Sequence, residues 1–173
     1  MMPSSIHRRP AARAIALAVT LLGASTAAPA QSSRPTGAPV STRIAGTFDV
    51  TLTPQPADAY ADGAMLGRMT IDKRFHGALD AASKGQMLSA MTGTKGSAGY
   101  VAIERVDGTL DGRRGSFVLQ HLGTMERGAQ RLVVAVVPDS GTGELTGLAG
   151  TMTIDTSGGG HRYEFTYTLP APE

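Results

Sequence analysis

The chain has 173 residues, of which 41% are hydrophobic, and it contains no cysteine and no tryptophan. The absence of cysteine excludes disulfide bonds, thiol nucleophiles and cysteine-ligated zinc. The formal net charge is +2, from 16 basic and 14 acidic residues. The basic residues form no stripe and aromatic residues are few, so the composition argues against a nucleic-acid-binding surface.

The first 30 residues have the order of a secretory signal peptide. Arg8, Arg9 and Arg13 come before the apolar run 14–22, and the small residues 28–30 form a cleavage site. This run is shorter than the roughly 20 residues of a membrane-spanning helix, and no later run approaches that length. We therefore expect a protein that does not span the membrane and is exported to the periplasm or the medium. Cleavage would leave 13 basic residues against 14 acidic ones.

A flexible leader is predicted at residues 31–42, which are rich in Ser, Pro and Thr, followed by one domain at residues 43–170. In this domain apolar and polar residues alternate, as they do in strands with one wet face. Glycine-rich or proline-containing turns bound the alternating runs. The strands after the first are predicted at 65–75, 86–92, 100–110, 115–125, 131–137, 150–155 and 162–169.

About eight strands without a helix predict an antiparallel all-β fold. We expect a closed eight-stranded meander barrel, because closure removes the exposed edges of the sheet. The first and last strands would then meet, with Phe48 and Val50 facing Phe165 and Tyr167. A two-sheet sandwich with the same number of strands remains an alternative.

Three blocks of the sequence resemble a known family. They are GSAGYVAIERVDGTLDGRRGSFVLQHLGTM, VVPDSGTGELTGLAGTMTI and HRYEFTYTL. They are similar to successive blocks of the bacterial family called domain of unknown function 3224, and the resemblance extends over residues 44–169. The resemblance implies a closed meander barrel, calycin-like or allene oxide cyclase-like and related to those of the allene oxide cyclases and dirigent proteins, and it implies no established activity.

The hairpin around DGRRG holds the candidate site. A four-residue loop at 111–114 would pair Leu110 with Gly115 and place Glu104 opposite His121. Both side chains would then lie on the mostly apolar side of the hairpin, which we assign to the interior. A buried carboxylate and imidazole must satisfy each other, or be satisfied by water or a ligand.

We expect the barrel to bind a small lipophilic molecule, with Tyr100, Glu104, His121 and Tyr163 as the ligand-binding residues. Methionines 65, 69, 87 and 91 would line an adaptable lumen or simply fill the core. The first alternative is a structural barrel with a filled interior, acting through its surface or as a homo-oligomer. The second is a cyclase-like or isomerase-like enzyme using Glu104 and His121 for proton transfer.

No cofactor or metal is predicted. The three histidines after the leader, His76, His121 and His161, lack the spacing of metal ligands. The segment SGTGELTGLAG lacks the Gly-Lys-Ser/Thr ending of a phosphate loop, so its glycines predict tight turns between strands.

Overall fold

The computed structural model describes residues 40–56 and 65–170, and these residues form eight strands. The predicted signal peptide and residues 31–39 of the predicted leader lie outside the described residues. The strands are β1 (Ser41–Gln55), β2 (Met65–Gly77), β3 (Leu79–Met91), β4 (Ala98–Leu110), β5 (Arg113–Glu126), β6 (Ala129–Val136), β7 (Ala149–Asp155) and β8 (His161–Thr168). In this part of the chain, no helix is long and apolar enough to cross a membrane.

The eight strands close into an antiparallel barrel. Each strand pairs with the next in the chain, and β1 pairs with β8, so the predicted closed meander barrel is confirmed. The pairing at closure differs from the expected one, because Ile44 lies opposite Phe165 and Phe48 lies opposite His161. Alternation determines which face a side chain occupies. It does not determine the register, because a strand that slides along its neighbour by two residues keeps the same side chains on each face. The calycin-like or allene oxide cyclase-like subtype stays a prediction.

Tight turns join β4 to β5 and β5 to β6. The first turn is Asp111 and Gly112, with φ values of 49° and 78°, and the second is Arg127 and Gly128, with φ values of 48° and 94°. Two consecutive residues with positive φ are typical of the two-residue β-hairpin turn whose twist matches the twist of the two strands that it joins. The predicted four-residue loop is therefore wrong: Leu110 pairs with Arg113, and the loop has two residues.

Strand β3 begins earlier than its sequence suggested. It starts at Leu79, whereas alternation predicted a start at residue 86. Its first inward positions after Leu79 are Ala81, Ser83 and Gly85, which are too small or too polar to produce an apolar alternation.

Between β6 and β7, the barrel wall is closed mainly by the segment of chain that connects these two strands. These strands share only two paired positions, and the connection runs along β5 instead. The Val118 N–H donates to Ser140 Oγ at 3.1 Å, and the Ser116 N–H donates to Thr142 Oγ1 at 3.0 Å. The SGTGELTGLAG segment, predicted to form tight turns, contains a short 3-10 helix (Gly143–Leu145) followed by a turn, and its Leu145 joins the core.

Aromatic and aliphatic side chains fill one half of the barrel. Phe117 stacks on Phe165 with ring centroids 5.9 Å apart, and Tyr163 meets Phe75 edge-on at 5.6 Å. All four rings are almost completely buried. This half is the aromatic half of the interior, and it leaves the opposite half as the place to look for a ligand.

Phe165→Ala should lower the free energy of unfolding by about 3 to 5 kcal/mol, because it removes a fully buried ring from between two others. Glu164→Ala is the matched control, since its side chain lies on the outer face in an exposed pair with Arg43. Such pairs contribute about 0 to 1 kcal/mol. Urea titration of both variants measures the difference, and a larger loss for Glu164→Ala would contradict the assignment of faces.

Candidate functional site

A cluster of four polar residues lies inside the barrel, at its centre. Glu104 of β4 is fully buried. Its Oε2 lies 2.7 Å from Nζ of Lys73 on β2 and 3.1 Å from Nε2 of His121 on β5. Ser83 of β3 donates its hydroxyl to Oε1. We call these four residues the interior cluster.

The strand register explains how Glu104 and His121 meet. Glu104 lies opposite Leu119, and His121 lies opposite Ala102, so the two are diagonal neighbours rather than the directly opposed pair expected from a longer loop. Shortening the loop from four residues to two keeps the same parity, and both side chains stay on one face. Diagonal neighbours across two strands are still within reach of long side chains.

Glu104 is held as a carboxylate. Burial is the largest single influence and raises its pKa, but the His121 ring, the charge and hydrogen bond of Lys73 and the Ser83 hydroxyl together outweigh burial. The result is a pKa lowered to about 2. With hydrogen bonds from Lys73 and Ser83 and the His121 ring beside it, the Glu104 carboxylate is held in one position in the interior.

Lys73 was not singled out by sequence reasoning, although it compensates the buried charge. It occupies an inward position of β2 between Ile71 and Phe75, where alternation calls for an apolar residue. Only 7% of its side chain is exposed, and Nζ lies 5.0 Å from the ring centroid of Phe48. A lysine at an apolar position of an alternating strand is the signal that could have revealed it.

His121 is the member of the cluster with an unused polar atom. Its Nε2 lies 3.1 Å from Oε2 of Glu104, near enough to influence the carboxylate but outside the geometry of a regular hydrogen bond. Among the described residues, this nitrogen is buried without a hydrogen-bond partner. Buried polar atoms are rarely left so, and the exceptions call for an explanation such as a bound molecule.

Tyr100 lies beside the interior cluster. It is half-buried on the inner face of β4, opposite Gly123, where a Cβ would stand only 2.1 Å from the tyrosine ring. Burial first, and then the negative charge of Glu104, raise the pKa of Tyr100. The predicted residues Tyr100, Glu104 and His121 therefore come together.

Tyr163 lies apart from Tyr100, Glu104 and His121. Its hydroxyl accepts the Leu79 N–H and donates to the His76 carbonyl, both at 3.3 Å, next to the turn between β2 and β3. It is buried in the aromatic half of the interior. The expectation that Tyr163 orients the same ligand as Glu104 and His121 does not fit this position, which serves packing.

Five methionines lie on the inner face, at the end of the barrel opposite the aromatic half. We call this region the methionine end. Met69 pairs with Met87, and Met65 pairs with Met91. Met65 and Met91 are 53% and 61% exposed, so this part of the inner wall is accessible. The group consists of Met65, Met69, Met87, Met91 and Met125.

The interior cluster does not resemble a metal centre. Within residues 40–56 and 65–170, no group of three or more His, Asp or Glu side chains is placed to hold a metal ion. Lys73 and Glu104 neutralise each other, which leaves the ring of His121 as the group able to hydrogen-bond to an incoming molecule.

The sequence model of a family described as Protein of unknown function (DUF3224) matches residues 44–167. The chain belongs to the DUF3224 family. A solved structure of a DUF3224 protein with unknown function from Shewanella oneidensis MR-1 is 58% identical and has a TM-score of 0.72. The match covers 76% of this chain and 100% of that chain. No curated protein matches the chain. Membership confirms the resemblance seen in the sequence, and the function has to be argued from the interior of the barrel.

Glu104→Gln should make the protein less stable at about pH 7, and its deficit should shrink as the pH falls. Folding lowers the Glu104 pKa from 4.5 to about 2, so its stabilisation is complete above the unfolded value and is lost towards about pH 2. The difference from the parent protein should decrease by about 3 kcal/mol over this interval.

Urea titrations across this pH interval measure the effect. Glu164→Gln is the control, because it removes an exposed carboxylate from the outer face. A difference between parent and Glu104→Gln that stays constant with pH would show that Glu104 titrates alike in the folded and unfolded states.

Proposed function

We propose that this protein is an exported barrel that binds a small lipophilic molecule at the methionine end of its interior. The observation that carries the proposal is an accessible apolar inner wall that leads to His121, whose buried Nε2 has no hydrogen-bond partner among the described residues. Ligand sites are commonly apolar and contain a few polar groups that fix orientation.

The two halves of the interior restrict where the molecule would lie. The aromatic half is filled by its own side chains, among them Phe75, Phe117 and Phe165. At the methionine end, Met69, Met87 and Met125 are half-buried. A ligand would cover these side chains and place one polar atom against His121, with Tyr100 beside it.

Methionine favours a ligand of variable shape. Its side chain is unbranched and polarizable, so a group of methionines can repack around different apolar molecules. A hydroxyl or carbonyl group on the ligand would suit His121, because a neutral imidazole offers one donor and one acceptor. An apolar body with one such group is therefore the expected ligand class.

Binding fits the interior cluster better than catalysis by Glu104. A general acid or base works best when its pKa is near the working pH. The pKa of Glu104 is lowered to about 2, and its oxygens are engaged by Lys73 and Ser83. These features support a role for Glu104 as a fixed counter-ion of Lys73. They argue against the cyclase-like or isomerase-like alternative in which Glu104 transfers protons.

Export is part of the proposal, and it rests on the sequence of the first 30 residues. An exported protein without cysteine depends on its core for stability. The aromatic half meets this requirement and leaves the methionine end free for a ligand.

The binding test uses N-phenyl-1-naphthylamine, an uncharged apolar dye whose fluorescence increases in apolar sites. Met87→Ser should raise its Kd about tenfold, because it replaces a thioether side chain of the inner wall by a polar one. Leu88→Ser should change Kd less than about twofold, since the adjacent residue points to the outer face. Thermal melts establish that both variants fold.

Equal effects of the two substitutions on dye binding would contradict an interior site. A parent protein that leaves the dye fluorescence unchanged would contradict the expected ligand class, because an accessible methionine wall should accept an uncharged aromatic molecule.

A further inference from the structure

A continuous row of aliphatic side chains crosses the outer wall of the barrel. Successive registers place Leu88 opposite Val101, Val101 opposite Leu122, and Leu122 opposite Val133. Their exposed fractions are 55%, 49%, 54% and 45% in that order. The outward positions of an antiparallel sheet in water are usually polar. A contiguous apolar patch of this kind marks a binding surface.

This part of the outer wall is concave. A groove with a volume of about 1370 Å³ runs over β2 to β5, and three of the four residues in the row line it, together with Tyr100 and His121. Ile103 lies two residues from Val101 on the same face and extends the apolar floor towards Arg105. An extended chain fits a concave floor of this size better than it would fit a flat surface.

The charges in the groove have one sign. Arg68, Lys84 and Arg105 line it, and among the described residues no Asp or Glu does. Lys84 and Arg105 lie directly opposite each other in the register of β3 and β4. Like charges at opposed positions destabilise a sheet, so their placement calls for a compensating gain.

The nearest acidic groups stand outside the lining of the groove. Lys84 lies 3.0 Å from Asp72, and Arg105 lies 3.5 Å from Asp107. Exposed pairs of this kind contribute about 0 to 1 kcal/mol. Both cations are therefore able to turn towards an anionic ligand at little cost.

We infer that the outer groove binds a single-chain anionic amphiphile, such as a fatty acid anion. Its head group contacts Lys84 and Arg105, and its chain lies over Ile103 and Val101 towards Leu122. Arg105 is four residues along the strand from Val101, a distance of about 13 Å that is comparable with the length of an extended dodecanoyl chain. Tyr100 and His121 also line this groove, so what distinguishes this site from the proposed interior site is its outward-facing contacts, Lys84, Ile103 and Arg105.

Isothermal titration of the whole protein with laurate tests the inference. Laurate should bind more tightly than uncharged dodecyl maltoside or cationic dodecyltrimethylammonium, all below micelle-forming concentrations. Ile103→Ser should raise the laurate Kd about tenfold. Arg105→Gln should reduce the preference for laurate over dodecyl maltoside, and added salt should do the same. Leu122→Ser serves if Ile103→Ser fails to fold.

Crossed controls distinguish this site from the interior one. Met87→Ser should leave laurate binding unchanged, while Leu88→Ser should weaken it. The reverse pattern, or methionine methyl resonances that shift in proportion to bound laurate, would place laurate in the interior and overturn the inference. Dye binding at the methionine end is measured separately, so either proposal can fail alone.

Two further outcomes would overturn the inference by identifying a different occupant. Light scattering could show a dimer of the parent protein that Ile103→Lys converts to a monomer, and the groove would then be an interface between two copies. Binding to phosphatidylglycerol vesicles without binding of monomeric laurate would make a membrane surface the partner.

Discussion

The fully buried carboxylate of Glu104 is the constraint on which the interior of this barrel depends. An ionised group without partners would be far too costly there, and removal of one partner from a buried pair destabilises by about 3 to 5 kcal/mol. Lys73 supplies the opposite charge, and Ser83 and His121 complete the surroundings. Ala81, Ser83 and Gly85 on β3 are small, which leaves volume for the long side chains of Lys73 and Glu104 on the flanking strands β2 and β4.

The interior cluster also divides the barrel into two regions with different properties. On one side, aromatic rings pack against each other and the core is closed by Leu145 and Leu148. On the other side, methionines line an inner wall that solvent reaches. The stabilising core and the proposed ligand site therefore lie in separate parts of the barrel. The outer wall near the methionine end carries a second apolar surface, so strands β3 to β5 present apolar side chains on both faces.

Much of the fold was predictable because alternation is a local property. The pattern of Tyr163, Phe165 and Tyr167 predicts one buried face, and all three are buried. Parity likewise placed Glu104 and His121 on one face, although the loop between their strands was too long in the prediction. The Asp111–Gly112 dipeptide is a strong hairpin signal, and it would have given the correct register if it had been read as the whole turn.

The rest depends on contacts between distant strands, which alternation does not encode. Lys73 is 31 residues from Glu104, and nothing local indicates that the two would meet. Tyr163 was grouped with Glu104 because both were expected to face inward, but facing inward does not specify the level along the barrel. The outer row from Leu88 to Val133 emerges only when three registers are known.

Carbon-13 NMR of the Glu104 side-chain carboxyl group, titrated with acid, tests the central claim most directly. The account predicts that Glu104 stays ionised while exposed glutamates become protonated, with a midpoint near its lowered pKa of about 2. In Lys73→Met the midpoint should rise, because the opposite charge is gone and burial remains. A Glu104 that titrates together with the exposed glutamates in the parent protein would contradict the account.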